Sequence, residues 1–155
     1  MIKMELLTTP YITRAELWLC ITTLLYFLMN GAQIFETLVF VPKWVNSPPD
    51  NFKLLSDGTG VSLKIFWIVL HSLHEITFIL AIVFCWKIDP VRNWLLILFA
   101  IHIAVRIWTL SFFAPNIIAF QKMAETPSFA QDLINRTSLW QTLNYVRVGI
   151  FIAVS

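Results

Sequence analysis

Apolar residues fill four stretches of this chain almost without interruption: from about Leu17 to Phe40, from about Val61 to Trp86, from about Trp94 to Ala114, and from about Ser138 to the C-terminus. A helix needs about 20 mostly apolar residues to cross a bilayer. Each stretch therefore predicts a membrane-spanning helix, the fourth being the shortest. The connections are polar and carry turn signals. Between the first two stretches, "VPKWVNSPPDNFKLLSDGTG" has the prolines, Asp-Gly and glycines of a loop. "KIDPVRN" is a tight turn in which Asp89-Pro90 marks a helix start, with Pro at the first helical position. After the third stretch, Pro115 is expected to kink or end the helix. Thr126-Pro127 is expected to open a further helix leading into the last span.

The expected fold is all-α: an integral membrane four-helix up-down-up-down bundle, one transmembrane domain over residues 1–155, with an intramembrane polar pocket. The N-terminus and the tight turn would share one membrane face and the two long loops the other. Lys3, Arg14, Lys87 and Arg92 on the first face balance Lys43, Lys53, Lys122 and Arg136 on the second, so positive charge does not orient the protein. Treating the long loops as the exported segments favours an inside N-terminus.

Composition fits this class. The chain is 58% hydrophobic and 13% charged, where soluble proteins carry about 25% charged residues. Mean hydropathy is +0.74. The net charge of +2 comes with no basic stripe, which excludes a nucleic-acid surface. Cys20 and Cys85 are far apart in apolar runs and read as small buried residues rather than as a disulfide or a metal pair. No cleavable signal peptide is expected, because the first apolar run lacks a small-residue cleavage site and is too long.

The informative residues are the polar ones inside the spans, since an ionisable group there is costly unless it faces protein or water. Advancing about 100° per residue, Asn30, Gln33, Glu36 and Thr37 share one face of the first span, and His71, His74 and Glu75 one face of the second, with His74 at the stripe's edge. His102, Arg106 and Thr109 form a single stripe on the third, and Trp140, Asn144 and Arg147 on the fourth, both at i, i+4, i+7. Counted from the long-loop face at roughly 1.5 Å per residue, these stripes meet in one layer. Fastening helices together would need only an Asn or Gln on each; this set goes well beyond that.

The expected catalytic residues are His71, Glu75, His102 and Arg106; the expected substrate-binding residues are Asn30, Glu36, Trp67, Asn116, Trp140, Asn144 and Arg147. Histidine can serve as acid or base near neutral pH. Arg and Asn can hold an anionic oxygen, and Trp67, Trp108 and Trp140 could flank a flat ring. Such a set suits proton abstraction on, or oxidation of, a hydrophobic cyclic substrate. Pro48-Pro49 and the segment from Thr126 to Asp132 would act as a partial lid over the pocket mouth. Nucleophile-elbow, phosphate-loop and dinucleotide motifs are absent.

Two other readings stand beside this one. The same layer could recognise a lipophile without chemistry, as a binder or transporter. It could also hold a metal or haem: His71 and Glu75 lie one turn apart, His102 and Glu36 could complete a ligand set, and haem could sit between His71 and His102. "HSLHE" matches neither the zinc-protease nor the di-iron pattern, and the preferred reading has no metal and no cofactor. The expected partners are membrane lipid and a hydrophobic small molecule; self-association into a homo-oligomer is left open.

The stretches "NGAQIFETLVFVPKW", "RIWTLSFFAPN" and "LWQTLNYVR" carry a resemblance. With four spans and a long first loop, the chain resembles a broad family of small membrane proteins that includes the fungal anthrone oxygenases. The family's Pro after the first span, its Asn after the third and its Trp-x-x-x-Asn-x-x-Arg pattern would correspond to Pro42, Asn116, and Trp140, Asn144 and Arg147. The resemblance implies cofactor-independent oxygenation of polycyclic phenols; "HSLHE" has no counterpart in that pattern. In architecture alone the chain also looks like the sterol-isomerase and sigma-2-type membrane proteins.

Overall fold

The computed structural model describes residues 8–55, 63–125 and 131–154. Among these residues there is no strand, and four long helical rods make up the molecule. The first comprises α1 (Thr9–Phe35), a π turn (Glu36–Phe40) and α2 (Val41–Val45). A 3-10 helix follows at Asp50–Leu55. The second rod is α3 (Lys64–Phe84). The third comprises α4 (Asp89–Trp108), a second π turn (Thr109–Phe113) and α5 (Ala114–Glu125). The fourth is α6 (Gln131–Ala153).

Ring contacts fix how the rods are arranged. Trp18 stacks on Phe84 and Tyr26 meets His74, so α1 and α3 run antiparallel. Phe78–Phe99 and His74–His102 do the same for α3 and α4. Phe113–Trp140 and His102–Phe151 join the third rod to α6, and Tyr26–Phe151 closes the ring back to α1. Each rod thus neighbours two others of opposite direction.

The surface is inverted relative to a water-soluble protein. Leu24, Ile65 and Ile107 are 64%, 74% and 61% exposed, while Asn30, Gln33, His74, His102 and Asn144 are buried. Three helical stretches, Thr9–Val45, Lys64–Phe84 and Asp89–Met123, are long and apolar enough to cross a membrane. The fourth rod, which carries Asn135, Arg136, Gln141, Asn144 and Arg147, is not among them, so four membrane-length apolar helices were expected and three are found among the described residues.

Several boundaries differ from those expected. The first helix starts at Thr9, with Pro10 in its first turn, not near Leu17. Neither Pro42 nor Pro115 ends its rod. Proline lacks an N–H and its ring collides with the carbonyl four residues back. A π turn immediately before each proline widens the helix by one residue: the Val41 N–H reaches back five residues to the Glu36 carbonyl, and the Ala114 N–H to that of Thr109. The rod then continues beyond the proline. The helix start at Asp89-Pro90 falls where expected.

The stretch expected to be an irregular loop after the first span is packed instead. Trp44, Phe52 and Leu55 are buried with Phe113, Phe120, Leu133 and Trp140 in one core cluster. The Gln121 side chain donates to the Leu55 carbonyl at 2.6 Å, and Asn51 to that of Lys43 at 2.9 Å. The helix start expected at Thr126-Pro127 and most of the expected lid from Thr126 to Asp132 lie outside the described residues, as do Lys3 and the Asp57-Gly58 turn.

Candidate functional site: a buried polar layer

Two networks meet inside the bundle. The upper one is organised by α6. Asn144 donates to the Thr37 hydroxyl in the first π turn at 3.0 Å and accepts from Arg147 at 2.6 Å. Arg147 also reaches the Thr109 hydroxyl in the second π turn at 3.5 Å, and its guanidinium lies 4.5 Å from the centre of the Phe113 ring. One stripe of α6 therefore ties both π turns together. Glu36, at the start of the first π turn, has Arg147 as its charge neighbour and the Trp67 indole within hydrogen-bonding reach.

The lower network joins α1, α3, α4 and α6. The Arg106 guanidinium donates to Glu75 at 2.9 Å, an ion pair across α3 and α4. His102 Nε2 lies 3.9 Å from the same carboxylate oxygen. The His74 and His102 rings are 4.9 Å apart, and His74 is 5.3 Å from Tyr26. The Tyr26 hydroxyl donates to the Phe151 carbonyl at 2.9 Å, which Asn30 also approaches at 3.5 Å. His71 stands between the networks, stacked on Trp67 at 5.2 Å and within electrostatic reach of His74, His102, Arg106 and Arg147.

What sets this layer apart is how many of its polar atoms have no hydrogen-bond partner within the protein. They include Nδ1 of His71, both ring nitrogens of His74 and His102, Oδ1 of Asn30, Nε2 of Gln33 and Nε of Arg147. Buried polar groups are ordinarily paired, and each exception costs about 1–3 kcal/mol. Two clefts open onto the layer. One, of about 390 Å³, is lined by Phe35, Glu36, Val39, Lys43, Phe66 and Trp67 among others. The other, of about 120 Å³, is lined by Thr22, Tyr26, His74 and His102 with apolar neighbours.

Most of the residues expected from the sequence come together here: Asn30, Glu36, Trp67, His71, Glu75, His102, Arg106, Asn144 and Arg147. Two do not. Asn116 donates to the Phe112 carbonyl at 2.8 Å and accepts from Arg136 at 3.0 Å. Trp140 donates to the Phe113 carbonyl at 3.3 Å from within the aromatic cluster. Both satisfy carbonyls of the second π turn and lie apart from the layer. A single cavity around all the ionisable groups was expected; of the expected residues, the larger cleft is lined by Glu36 and Trp67 and the smaller by His102, with His74 beside it. His74, expected at the edge of its stripe, is fully buried at the centre, with His71 and Glu75 flanking it.

Tyr26 is a member of the layer that the sequence reading lacks. The signal is present, since Tyr26, Asn30, Gln33 and Thr37 follow one another at helical spacing and the stripe simply extends one turn further. Among the described residues, no three His, Cys, Asp or Glu side chains form a group that could hold a metal ion. Cys20 and Cys85 are both free. The chain matches no protein-family profile, no curated protein and no solved structure.

Proposed function

We propose that the chain is a multi-pass membrane protein in which all four rods cross the bilayer as an up-down-up-down bundle, N-terminus inside. It acts as a small enzyme on a flat hydrophobic ring compound, by acid–base or cofactor-independent oxygenation chemistry. The observation that carries this reading is the set of unpartnered imidazole nitrogens on His71, His74 and His102 beside the Glu75–Arg106 pair. A network that only fastened helices would have its donors and acceptors matched, as Asn144 and Thr37 do.

The larger cleft is the ring-binding site in this reading. Trp67 and Phe66, 5.1 Å apart and 70° from coplanar, offer an aromatic corner, and Glu36 lies among the lining residues. His71, whose ring lies 5.2 Å from that of Trp67, is the proposed base, with the Glu75–Arg106 pair one turn further along α3 balancing charge. Arg147 retains Nε for a substrate oxygen after its other nitrogens have bonded Asn144 and Thr109. The resemblance to the anthrone oxygenases favours an oxygenated phenolic ring as substrate.

The test begins with organic extraction of protein purified in native lipid, followed by mass spectrometry of what it carries. Turnover of the recovered compound is then compared in wild type and His71→Gln. Conversion by the wild type with at least a hundredfold loss in the variant is expected. A recovered ring compound that neither protein converts would make this a lipophile binder, the reading favoured by the internal pairing of Asn144. Visible absorbance or stoichiometric metal in the purified protein would favour haem or metal at His71 and His102.

A further inference from the structure

We infer that the smaller cleft is a second ligand site, reached sideways from the membrane, for the hydroxyl end of an uncharged lipophile. It shares no lining residue with the larger cleft. The inference rests on the bilayer reading above but not on the reaction proposed there. At its depth are His74 and His102, 0% and 2% exposed, and Thr22 at 6%. Thr22 Oγ1 and all four imidazole nitrogens of the two histidines lack a hydrogen-bond partner in the protein, His102 Nε2 having only the Glu75 carboxylate at 3.9 Å. Toward the outside the lining becomes apolar, through Leu19, Phe27 and Leu98. Phe27 is 56% exposed on the surface that the bilayer reading turns to lipid.

A volume of about 120 Å³ suits one ring or a short polar head, since a cavity of about 150 Å³ accepts benzene. The groups facing the two imidazoles limit what that head can be. Tyr26 of α1 already gives its proton to the Phe151 carbonyl of α6. Glu75 of α3 and Arg106 of α4 are paired with each other, and His71 is stacked on Trp67. No fixed charge is left over to balance an ion, so the ligand is neutral. A hydroxyl both donates and accepts. With the rings 4.9 Å apart, one hydroxyl can donate to one imidazole and accept from the other. Its apolar remainder passes Leu19, Phe27 and Leu98 into lipid.

The experiment is photolabelling of the full chain in phosphatidylcholine nanodiscs with two diazirine probes, a long-chain aliphatic alcohol and a para-alkylphenol. Labelled peptides are mapped by mass spectrometry, and competition is measured with each unlabelled parent and with its methyl ether. Labels are expected between residues 19 and 27 and between 95 and 98. The ethers should compete about tenfold less well than the alcohols, because they cannot donate a proton. Thr22→Val and His74→Phe should each weaken labelling several-fold, while Thr142→Val, on the exposed face of α6, should leave it unchanged. Which probe labels tells whether the hydroxyl is aliphatic or phenolic. Ethers that compete as well as alcohols would overturn the proposal, as would labels spread evenly over Ile76, Ile79 and other outward residues of α3. If His74→Phe does not fold, the ether comparison on the wild type and Thr22→Val decide. Labelling that persists without turnover of any ring compound would sink the proposed reaction and leave this site standing.

Discussion

Glu75→Gln keeps the shape of its side chain and removes its charge, which isolates what the ion pair with Arg106 contributes. The pair is short, 2.9 Å, with Glu75 31% and Arg106 18% exposed. Unit charges about 4 Å apart attract by about 4 kcal/mol at an effective dielectric constant near 20. Most of that attraction offsets the cost of taking both ions out of water, so the intact pair is worth little net. Removing one partner is different, because it strands the other charge, and that costs about 3–5 kcal/mol. The partial exposure of Glu75 places the expected loss near the lower end, about 3 kcal/mol. For a chain of this size each kcal/mol moves Tm by about 2–4 °C, so Glu75→Gln should unfold about 6–12 °C below wild type. The assay is thermal unfolding in detergent micelles followed by far-ultraviolet circular dichroism. Arg106→Gln should lose less, because a lone carboxylate that is one-third exposed is easier to solvate. The double variant should recover to within about 1 kcal/mol of wild type, leaving a coupling of at least about 2 kcal/mol. Additive losses, or a Glu75→Gln protein that melts with the wild type, would show that the pair is not formed as described and that Arg106 is solvated another way.

Asn144→Leu removes the link between the two π turns and deprives Arg147 of its shortest hydrogen bond; a loss of about 1–2 kcal/mol is expected in the same melting assay. Phe52→Ala empties a fully buried position in the stretch after the first rod and should cost about 3–5 kcal/mol, with faster hydrogen exchange over residues 44–55. Ile76→Lys puts a charge on an outward position of α3 that is 57% exposed; insertion should become less favourable by about 3–4 kcal/mol, read as a lower membrane-bound fraction after expression. An unchanged membrane fraction for that variant would count against lipid contact at this face.

The polar stripes are legible because helical phase is strict: residues at i, i+4 and i+7 must share a face whatever surrounds them. Asn144 and Arg147 on α6, and His102 and Arg106 on α4, belong together on that ground alone. Phase does not say which part of a stripe is central, and so it sets His74 at an edge that His74 does not occupy. That depends on how neighbouring rods cross, a tertiary fact. The prolines mislead for a related reason. Pro42 and Pro115 are genuine helix breakers in a regular α-helix, but nothing local announces the extra residue that lets the chain absorb them. Around Pro48-Pro49 the turn residues dominate the pattern, while Trp44, Phe52 and Leu55 between them are free to fold onto Phe120 and Trp140. Trp140 and Asn116 sit on plausible pattern positions, yet their hydrogen bonds go to π-turn carbonyls. The same residue types can serve a ligand or the backbone, and sequence alone does not tell which.

The two π turns also bear on how this chain can change length. A π turn is a helix carrying one residue more than its pitch requires, and that residue bulges without altering the direction in which later side chains point. With Pro115 replaced by alanine, deleting one residue between Thr109 and Phe113 would tighten the turn into regular helix and leave α5 facing as before. The same would hold between Glu36 and Phe40 once Pro42 is replaced. A deletion within α3, which has no such surplus, would turn everything beyond it by about 100° and swing Glu75 away from Arg106. Single-residue deletions, each with its proline replaced, should therefore be tolerated at these two turns and not within α3, and both turns are held from the side by the same three-residue stripe of α6.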